Sequence, residues 1–390
     1  MRETNRAVVL DILRHDGSMT RSELACRAAL AKPTVSEIIV TLLDEGLVRE
    51  IGPAAGRSRG GPRGRLLALN PEVSGFIGIH LGVRQTFFAL ADALGHIRVT
   101  KSFAGYRADA ARALRELPEL VLDFVREANL PLARIAAIGI AVPGLVNRVT
   151  GTCIFAPNLA WNDVPLGASL TEALGVPIAV GNSMQAGGTA EVFLGGHDEA
   201  RSLAWLYVED GIGAALITDG RVLYGKHGYT GEIGHWKVVD EGLVCGCGRR
   251  GCLETVASGS AIEEAVRTAL MDDGSISDRP AKLDAPFIAA AASNGHQGVQ
   301  GILARAGEYL GVAISHLINF LDPEVVVLDG PIIRASDFLV HATRASVARH
   351  SVNPELAPIV ASIVGGDVVL KGAVFLAMEV RPGHVVLRRS

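Results

Sequence analysis

The sequence predicts an α/β protein that opens with a winged helix-turn-helix. Three observations predict it. From residue 75 onward, apolar runs of strand length alternate with longer stretches of helical periodicity, as in an α/β body. Ahead of that point lie three short helical patterns and a Gly/Arg stretch set between two apolar runs. Charge is also split along the chain. The first 70 residues hold 11 Lys and Arg against 8 Asp and Glu, a balance of +3, while the whole chain carries −4. A basic end on an acidic body points to a polyanion as that end's partner.

The 390 residues suggest two or three domains. With 49% hydrophobic and 20% charged residues, the chain can bury a large core, which excludes long-range disorder and a fibrous protein. Glycine is abundant, 45 residues without a collagen period, so tight turns and close backbone approaches are expected. No run of about 18 apolar residues appears, and no membrane span is expected. Residues 1–20 contain Arg2, Glu3, Arg6, Asp11 and Arg14 and no signal-peptide core. A cytoplasmic protein is the expectation.

Val8, Val9, Ile12 and Leu13 give the first helix its apolar stripe, and Gly17-Ser18 ends it. Leu24, Ala25 and Ala28 mark a second short helix. Pro33 suits the first turn of a third, whose buried stripe is Val35, Ile38, Ile39 and Leu42 and whose stop is Gly46. Residues 47–51 and 66–69 can pair as a hairpin, and Asn70-Pro71 closes the segment. In the body, residues 76–81 and 86–92 read as strands around Gly82. Ile135–Val142, 176–180, Leu203–Val208, 214–218 and 325–328 are further strands. Helices are expected near 108–128, 184–194, 258–271 and 299–320, with an exposed insertion at 272–284. No sequence repeat is evident.

Three helices and a basic hairpin fit a DNA reader. The short join at 29–32 allows the sharp crossing such motifs need, and the third helix would enter the major groove. With its apolar stripe turned inward, Thr34, Ser36 and Glu37 face outward to reach base edges, and Lys32 can pair with a phosphate. Ala31 and Lys32 are poor caps for that helix. Arg57, Arg59, Arg63 and Arg65, spaced among glycines at the hairpin tip, would follow the backbone or enter the minor groove. The competing reading is a small helical dimerisation domain with a solvated basic loop. The arginine loop and the local charge favour a double-stranded DNA operator as partner.

The most specific local pattern is Gly234-His235, nine residues, then Cys245-Gly246-Cys247-Gly248-Arg249-Arg250-Gly251-Cys252. One imidazole and three thiolates suit tetrahedral zinc, so His235, Cys245, Cys247 and Cys252 are the expected ligands of Zn2+. Four protein ligands leave no open position, which makes the metal structural. Cys26 and Cys153 sit among apolar neighbours in sequence and are expected to be packed.

With these motifs in place, the chain resembles the ROK family (repressor/ORF/kinase) of sugar kinases and sugar-responsive repressors, over essentially its whole length. The resemblance rests on Gly231-Glu232-Ile233-Gly234-His235, the cysteine cluster and Leu253-Glu254. It rests also on Val142-Pro143-Gly144, Ala156-Pro157-Asn158-Leu159-Ala160-Trp161 and Leu321-Asp322-Pro323-Glu324. The winged end is similar to that of the family's xylose, glucose and N-acetylglucosamine regulators. What the resemblance implies is a winged domain over 1–71 and a two-lobed actin-like body. Its lobes would span 72–186 and 187–390, with a C-terminal helix returning to the first. It implies that a sugar or sugar derivative is held through Asn158, Asn182, Glu232, His235 and Glu254. Amides and carboxylates offer the donors and acceptors that neighbouring hydroxyls need. His235 could then hold zinc with one ring nitrogen and meet the sugar with the other.

Departures from the family's kinases follow the same positions. Active kinases carry Asn-Asp, with the Asp as general base; here the pair is Asn182-Ser183. A serine does not take that proton at neutral pH without its own base. The D-x-G-G-T phosphate loop reads His80-Leu81-Gly82-Val83-Arg84, and the later G-T-G-x-G loop reads Asp210-Gly211-Ile212-Gly213. Phosphoryl transfer depends on positioning and charge stabilisation, so three degraded parts imply no catalysis and no catalytic residues. The expectation is a sugar-sensing repressor, acting as a homodimer or higher homo-oligomer. A sugar-transport protein is an alternative controller, and an active sugar kinase with a fused DNA-binding domain is the enzyme alternative.

Overall fold

The computed structural model describes residues 2–53, 64–197, 199–226, 228–272, 274, 283–353 and 357–380. By backbone contacts the chain forms two compact units. Among the described residues, one comprises those up to Ala186 and those from Leu370 to Val380; the other comprises those from Gly187 to Val369.

The N-terminal end of the first unit has helices Arg2–His15, Arg21–Arg27 and Lys32–Asp44. Its sheet places the strand Arg65–Leu69 between Met19–Thr20 and Val48–Pro53. Arg65–Leu69 is antiparallel to both neighbours, so a two-stranded wing is joined to the entry of the second helix. The third helix packs through its expected stripe, whereas in the first helix Val8 is exposed and Leu10 takes an inward position beside Val9 and Leu13. Val9, Leu10, Leu13, Leu24, Val35, Ile39, Leu42, Leu67 and Leu69 form one buried cluster. The hairpin of the sequence reading is present, extended to Pro53 and Arg65.

The remainder of this unit is built on a five-stranded sheet. Its order is Ile178–Asn182, Ile135–Val142, Gly75–Leu81, Gln85–Ala91, Ile97–Ala104. The first three strands are parallel and the last two antiparallel. The helix Ala110–Glu127 covers one face with Leu117, Val121, Phe124 and Val125. The C-terminal helix Val368–Val380 covers the other with Leu370, Val374, Ala377 and Met378. A Cβ at Gly139 would collide with the carbonyl of Ala373, so glycine there sets how closely that helix approaches. A small antiparallel sheet of Leu145–Asn147, Thr152–Ala156 and Trp161–Val164 completes the unit. Buried Trp161 donates to the Tyr106 carbonyl at 3.1 Å.

The second unit carries another five-stranded sheet, ordered Arg221–Val222, Ile212–Thr218, Leu203–Val208, Val325–Asp329, Ile359–Ala361. Numbered along the chain within each unit, both sheets run third, second, first, fourth, fifth. The two halves of the body therefore share a topology that the sequence, with no visible repeat, does not display. Helices Gly259–Asp272, Ala285–Ser293, Gln297–Leu321 and Asp337–His350 enclose the second core. Gln297–Leu321 and Asp337–His350 pack where Gly307 and Gly311 meet Ala342 and Ser346.

Several expectations shift in detail. The strand expected at 176–180 runs as Ile178–Asn182, so Asn182 closes the strand and Ser183 opens the helix Ser183–Leu194. Cys153 is buried as expected, whereas Cys26 is exposed near the end of the second helix, with Leu24 and Ala25 taking the inward positions. Most of the 272–284 insertion lies outside the described residues. No helix among the described residues is long and apolar enough to cross a membrane.

Candidate functional site

At the N-terminal end, the turn between the second and third helices is tight. Leu30 N–H donates to the Ala25 carbonyl at 3.0 Å, and Ala29 takes a φ of +52°, a conformation glycine would adopt with less strain. The third helix starts without a side-chain cap and with Pro33 in its first turn. Lys32 and Glu37 are exposed, Thr34 and Ser36 half-buried, so the outer face of the helix start is accessible. Val40 lies on that outer face too, 53% exposed, one turn beyond Ser36 and Glu37. An apolar side chain gives no polar signal in the sequence, yet a branched alkyl group suits a thymine methyl. Arg65 opens the second wing strand and pairs with Glu50 at 2.9 Å. Arg57, Arg59 and Arg63 lie outside the described residues.

Of the five hydroxyl-binding candidates, Asn158 and Asn182 lie in the first unit. Asn158 is exposed in the short turn Pro157–Leu159, which ends with Ala160 in the left-handed region. Asn182 is buried and largely occupied. Its Oδ1 accepts from the N–H groups of Met184 (2.7 Å) and Gln185 (3.2 Å), and its Nδ2 donates to the Gly144 carbonyl at 2.7 Å. It thus caps the helix that follows and ties it to the Gly144 turn. Ser183 is 2% exposed, and its hydroxyl has no hydrogen-bond partner among the described residues. His80, stacked on Phe87, is buried enough to push its pKa down to about 4, so it is a neutral imidazole.

Glu232, His235 and Glu254 come together in the second unit, around the cysteine cluster. The chain from 231 to 235 lies flat on the strand Ile212–Thr218, because Gly231 and Gly234 sit where a Cβ would strike the carbonyls of Ala214 and Ile212. Ala214 N–H donates to the Gly231 carbonyl at 2.9 Å. The cysteine loop is closed by Cys245 N–H to the Arg249 carbonyl (2.7 Å) and Gly248 N–H to the Cys245 carbonyl (2.9 Å). Bridges Lys237 to Cys252 and Val244 to Arg250 hold its stem.

One donor atom each from His235, Cys245, Cys247 and Cys252 falls within 4.8 Å of the others, so the four form a cluster that could hold a metal ion. Bond lengths of about 2.3 Å to sulfur give a tetrahedral edge of about 3.8 Å. Cys247 Sγ and Cys252 Sγ are 3.8 Å apart, and Cys245 Sγ lies 3.4 Å from His235 Nδ1. The donor set and spacing fit zinc. Without a cation, burial pushes the Cys245 and Cys252 thiols up; a dication would reverse that by stabilising the thiolates. His235 turns Nδ1 toward the cysteines and Nε2 toward Glu232 Oε2, 3.8 Å away. Glu254 Oε1 accepts from Cys245 Sγ at 3.0 Å and lies 3.7 Å from His235 Nδ1. The surrounding protein raises the Glu232 carboxyl above its ordinary range by desolvation, with His235 opposing and Glu254 adding to the shift.

Residues 76–380 match the ROK family model, and residues 4–51 match the MarR family model. The chain belongs to the ROK family. It is 30% identical to the xylose repressor of Caldicellulosiruptor bescii, covering 84% of this chain and 83% of that protein. It is 28% identical to the DNA-binding transcriptional dual regulator NagC of Escherichia coli, covering 89% of this chain and 85% of that one. Among solved structures, a ROK family transcriptional regulator, a homologue of the E. coli MLC protein, matches with a TM-score of 0.84 at 28% identity. That match covers 99% of this chain and 98% of the other. Within this ROK chain, the two sheets of common topology carry the kinase-like body, and the MarR-like helices carry the winged end.

Proposed function

We propose that this ROK chain is a sugar-responsive DNA-binding repressor whose kinase-like body senses a carbohydrate without phosphorylating it. The observation that carries the reading is a MarR-like helix-turn-helix joined, in one chain, to a ROK body similar throughout to named repressors. Residues 1–71 serve as the reading module, with 72–186 and 187–390 as the two lobes of the sensor. Thr34, Ser36, Glu37 and Val40 meet base edges, and Lys32 and the wing arginines meet phosphate. Glu232, His235 and Glu254 of the second unit bind sugar hydroxyls, and Asn158 and Asn182 are the further candidates that the family resemblance supplies. Asn182 has one amide hydrogen left for that role after its capping bonds.

His235 links sensor to metal. A structural Zn2+ held through Nδ1 and three thiolates would fix the ring so that Nε2 and Glu232 keep one orientation. Among the described residues the buried hydroxyl of Ser183 has no hydrogen-bond partner to accept its proton, which supports sensing over catalysis. The working form is a homodimer or higher oligomer in the cytoplasm, because operators with two half-sites require two reading modules at a set spacing. A sugar that binds one arrangement of the modules better than the other would shift that spacing and release DNA.

The test is fluorescence anisotropy on a labelled duplex from the region upstream of the chain's own gene, titrated with a sugar panel at fixed salt. Release by one sugar is the expected result. Tight binding that no sugar relieves would point to control by a protein such as a sugar-transport component. ADP formation from ATP with any sugar would restore the kinase reading.

A further inference from the structure

We propose that Glu50 is a positioning residue that couples Arg21 of the helix-turn-helix to Arg65 of the wing, so that both guanidiniums meet the DNA backbone as one unit. The proposal rests on the DNA-binding reading above. Glu50 lies on the strand Val48–Pro53, its side chain 25% exposed. Its two oxygens serve different arginines. Oε2 is 2.9 Å from Arg65 Nη1, and Oε1 is 3.4 and 3.5 Å from the two terminal nitrogens of Arg21. Among the described residues before Asn70, it is the carboxylate that bridges two arginines. Glu45 and Asp16 each pair with one, Arg6 and Arg27, and cancel its charge.

The backbone makes the bridge possible. Glu50 pairs with Leu67 and Gly52 with Leu66, so Ile51 is an extra residue that kinks the strand. Thr20 pairs with Leu66 on the other edge of the central strand. Thr20 also caps the second helix: Glu23 N–H donates to its hydroxyl at 3.3 Å, and its own N–H donates to Glu23 Oε2 at 2.7 Å. Arg21 follows directly. The helix start and the wing root are therefore one hydrogen-bonded piece, and Glu50 spans it.

Charge and donor counts decide what this piece can do. Two guanidiniums and one carboxylate leave a net positive charge. Each guanidinium has five N–H donors, and Glu50 engages at most two on either. The free donors suit phosphate oxygens. The ion pairs are too exposed to matter much for folding, with Arg65 65% exposed, so their value lies in aiming. An arginine held in one direction loses less freedom on binding than one that must be ordered by the DNA.

The experiment uses the full chain and two labelled duplexes of equal length, one from its own upstream region and one scrambled. Glu50→Ala is expected to weaken binding to the upstream duplex about tenfold and to leave scrambled binding unchanged or tighter, because a negative charge has gone. In the Glu50→Ala background, Arg65→Ala should cost little more, so the two losses are not additive. Glu50→Asp should recover part of the loss. An upstream affinity that is unchanged or raised, or losses that simply add, overturns the proposal. So does an equal loss on both duplexes with a lowered melting temperature, which would mark a structural role. Wild-type protein that binds neither duplex overturns the DNA-binding reading and this proposal with it. Wild-type binding with an unaffected Glu50→Ala overturns this proposal alone.

Discussion

Asp11 is a carboxylate enclosed in the reading end, on the inner side of the first helix. Its side chain is 6% exposed, and Arg14, also enclosed, approaches it only to 3.7 Å. Burial pushes its pKa up from 3.8 to about 7, against the pull of Arg14. The unfolded chain releases this proton near pH 4, while the folded chain keeps it until about 7. Over that window the native state binds more protons than the unfolded one, so stability falls as pH rises. The full contribution is present below about pH 4 and is lost as pH passes through about 7. Its size is on the order of a few kcal/mol. Urea midpoints of wild type and Asp11→Asn, measured from pH 5 to 8, should converge in slope only above the transition, with the variant flatter below it. Parallel profiles would show that Asp11 is ionised in the fold. Residue-level legibility varies in the same physical way. Asn182 could be read as cap or hydroxyl ligand because an amide serves both; only its three bonds reveal that capping takes most of its capacity. Cys26 was read inward from its apolar neighbours, but Leu24 and Ala25 fill the inner face of that short helix.

Elements were legible where a local pattern carries its own reason. The cysteine loop is the clearest case, since ligand chemistry and glycine spacing both act within 22 residues, 231–252. The apolar stripe of the third helix likewise names its own inner face, whereas in the first helix the sequence pattern includes exposed Val8 and omits buried Leu10. The helix Asp337–His350 was not read, because it packs through Ala342 and Ser346 against Gly307 and Gly311, a small-residue contact with little hydrophobic periodicity. The edge strand Ile97–Ala104 was missed for a related reason: Arg98 and Lys101 interrupt it, as suits an edge that must not recruit another strand. The cysteine loop makes a prediction of its own. Structural zinc in isolated finger peptides contributes about 10–16 kcal/mol; here the loop is also held by its stem, so the loss should be smaller, on the order of several kcal/mol. Cys247→Ser should lower bound zinc well below one ion per chain and reduce the melting temperature, and a chelator should do the same to wild type. Elemental analysis with a melting curve checks it. Full metal content with unchanged melting would remove Cys247 from the ligand set.

At the scale of the whole molecule, the repeated sheet order explains why the body's α/β class was legible from periodicity but its two-lobed organisation only through resemblance. Strand orders are long-range facts, and two sheets can share one without sharing side chains. The charge split, by contrast, is additive and was readable at once: basic residues gather where a polyanion is to be met and acidic ones elsewhere. The division of labour implied by that split can be tested with one residue. Glu232 belongs to the second unit, whereas the reading helices belong to residues 1–71 of the first. Glu232→Ala should therefore keep operator affinity within about twofold while losing sugar-induced release, since a ligand shifts an equilibrium only by its differential affinity for the two states. Anisotropy with and without the inducing sugar measures both quantities in one titration. Retained release would move the sensor site away from Glu232. A joint loss of DNA binding and thermal stability would instead make Glu232 a support for the His235 ring. Glu232→Gln separates the two outcomes, because it keeps the shape and one acceptor beside Nε2 while removing the charge that two neighbouring hydroxyls would share.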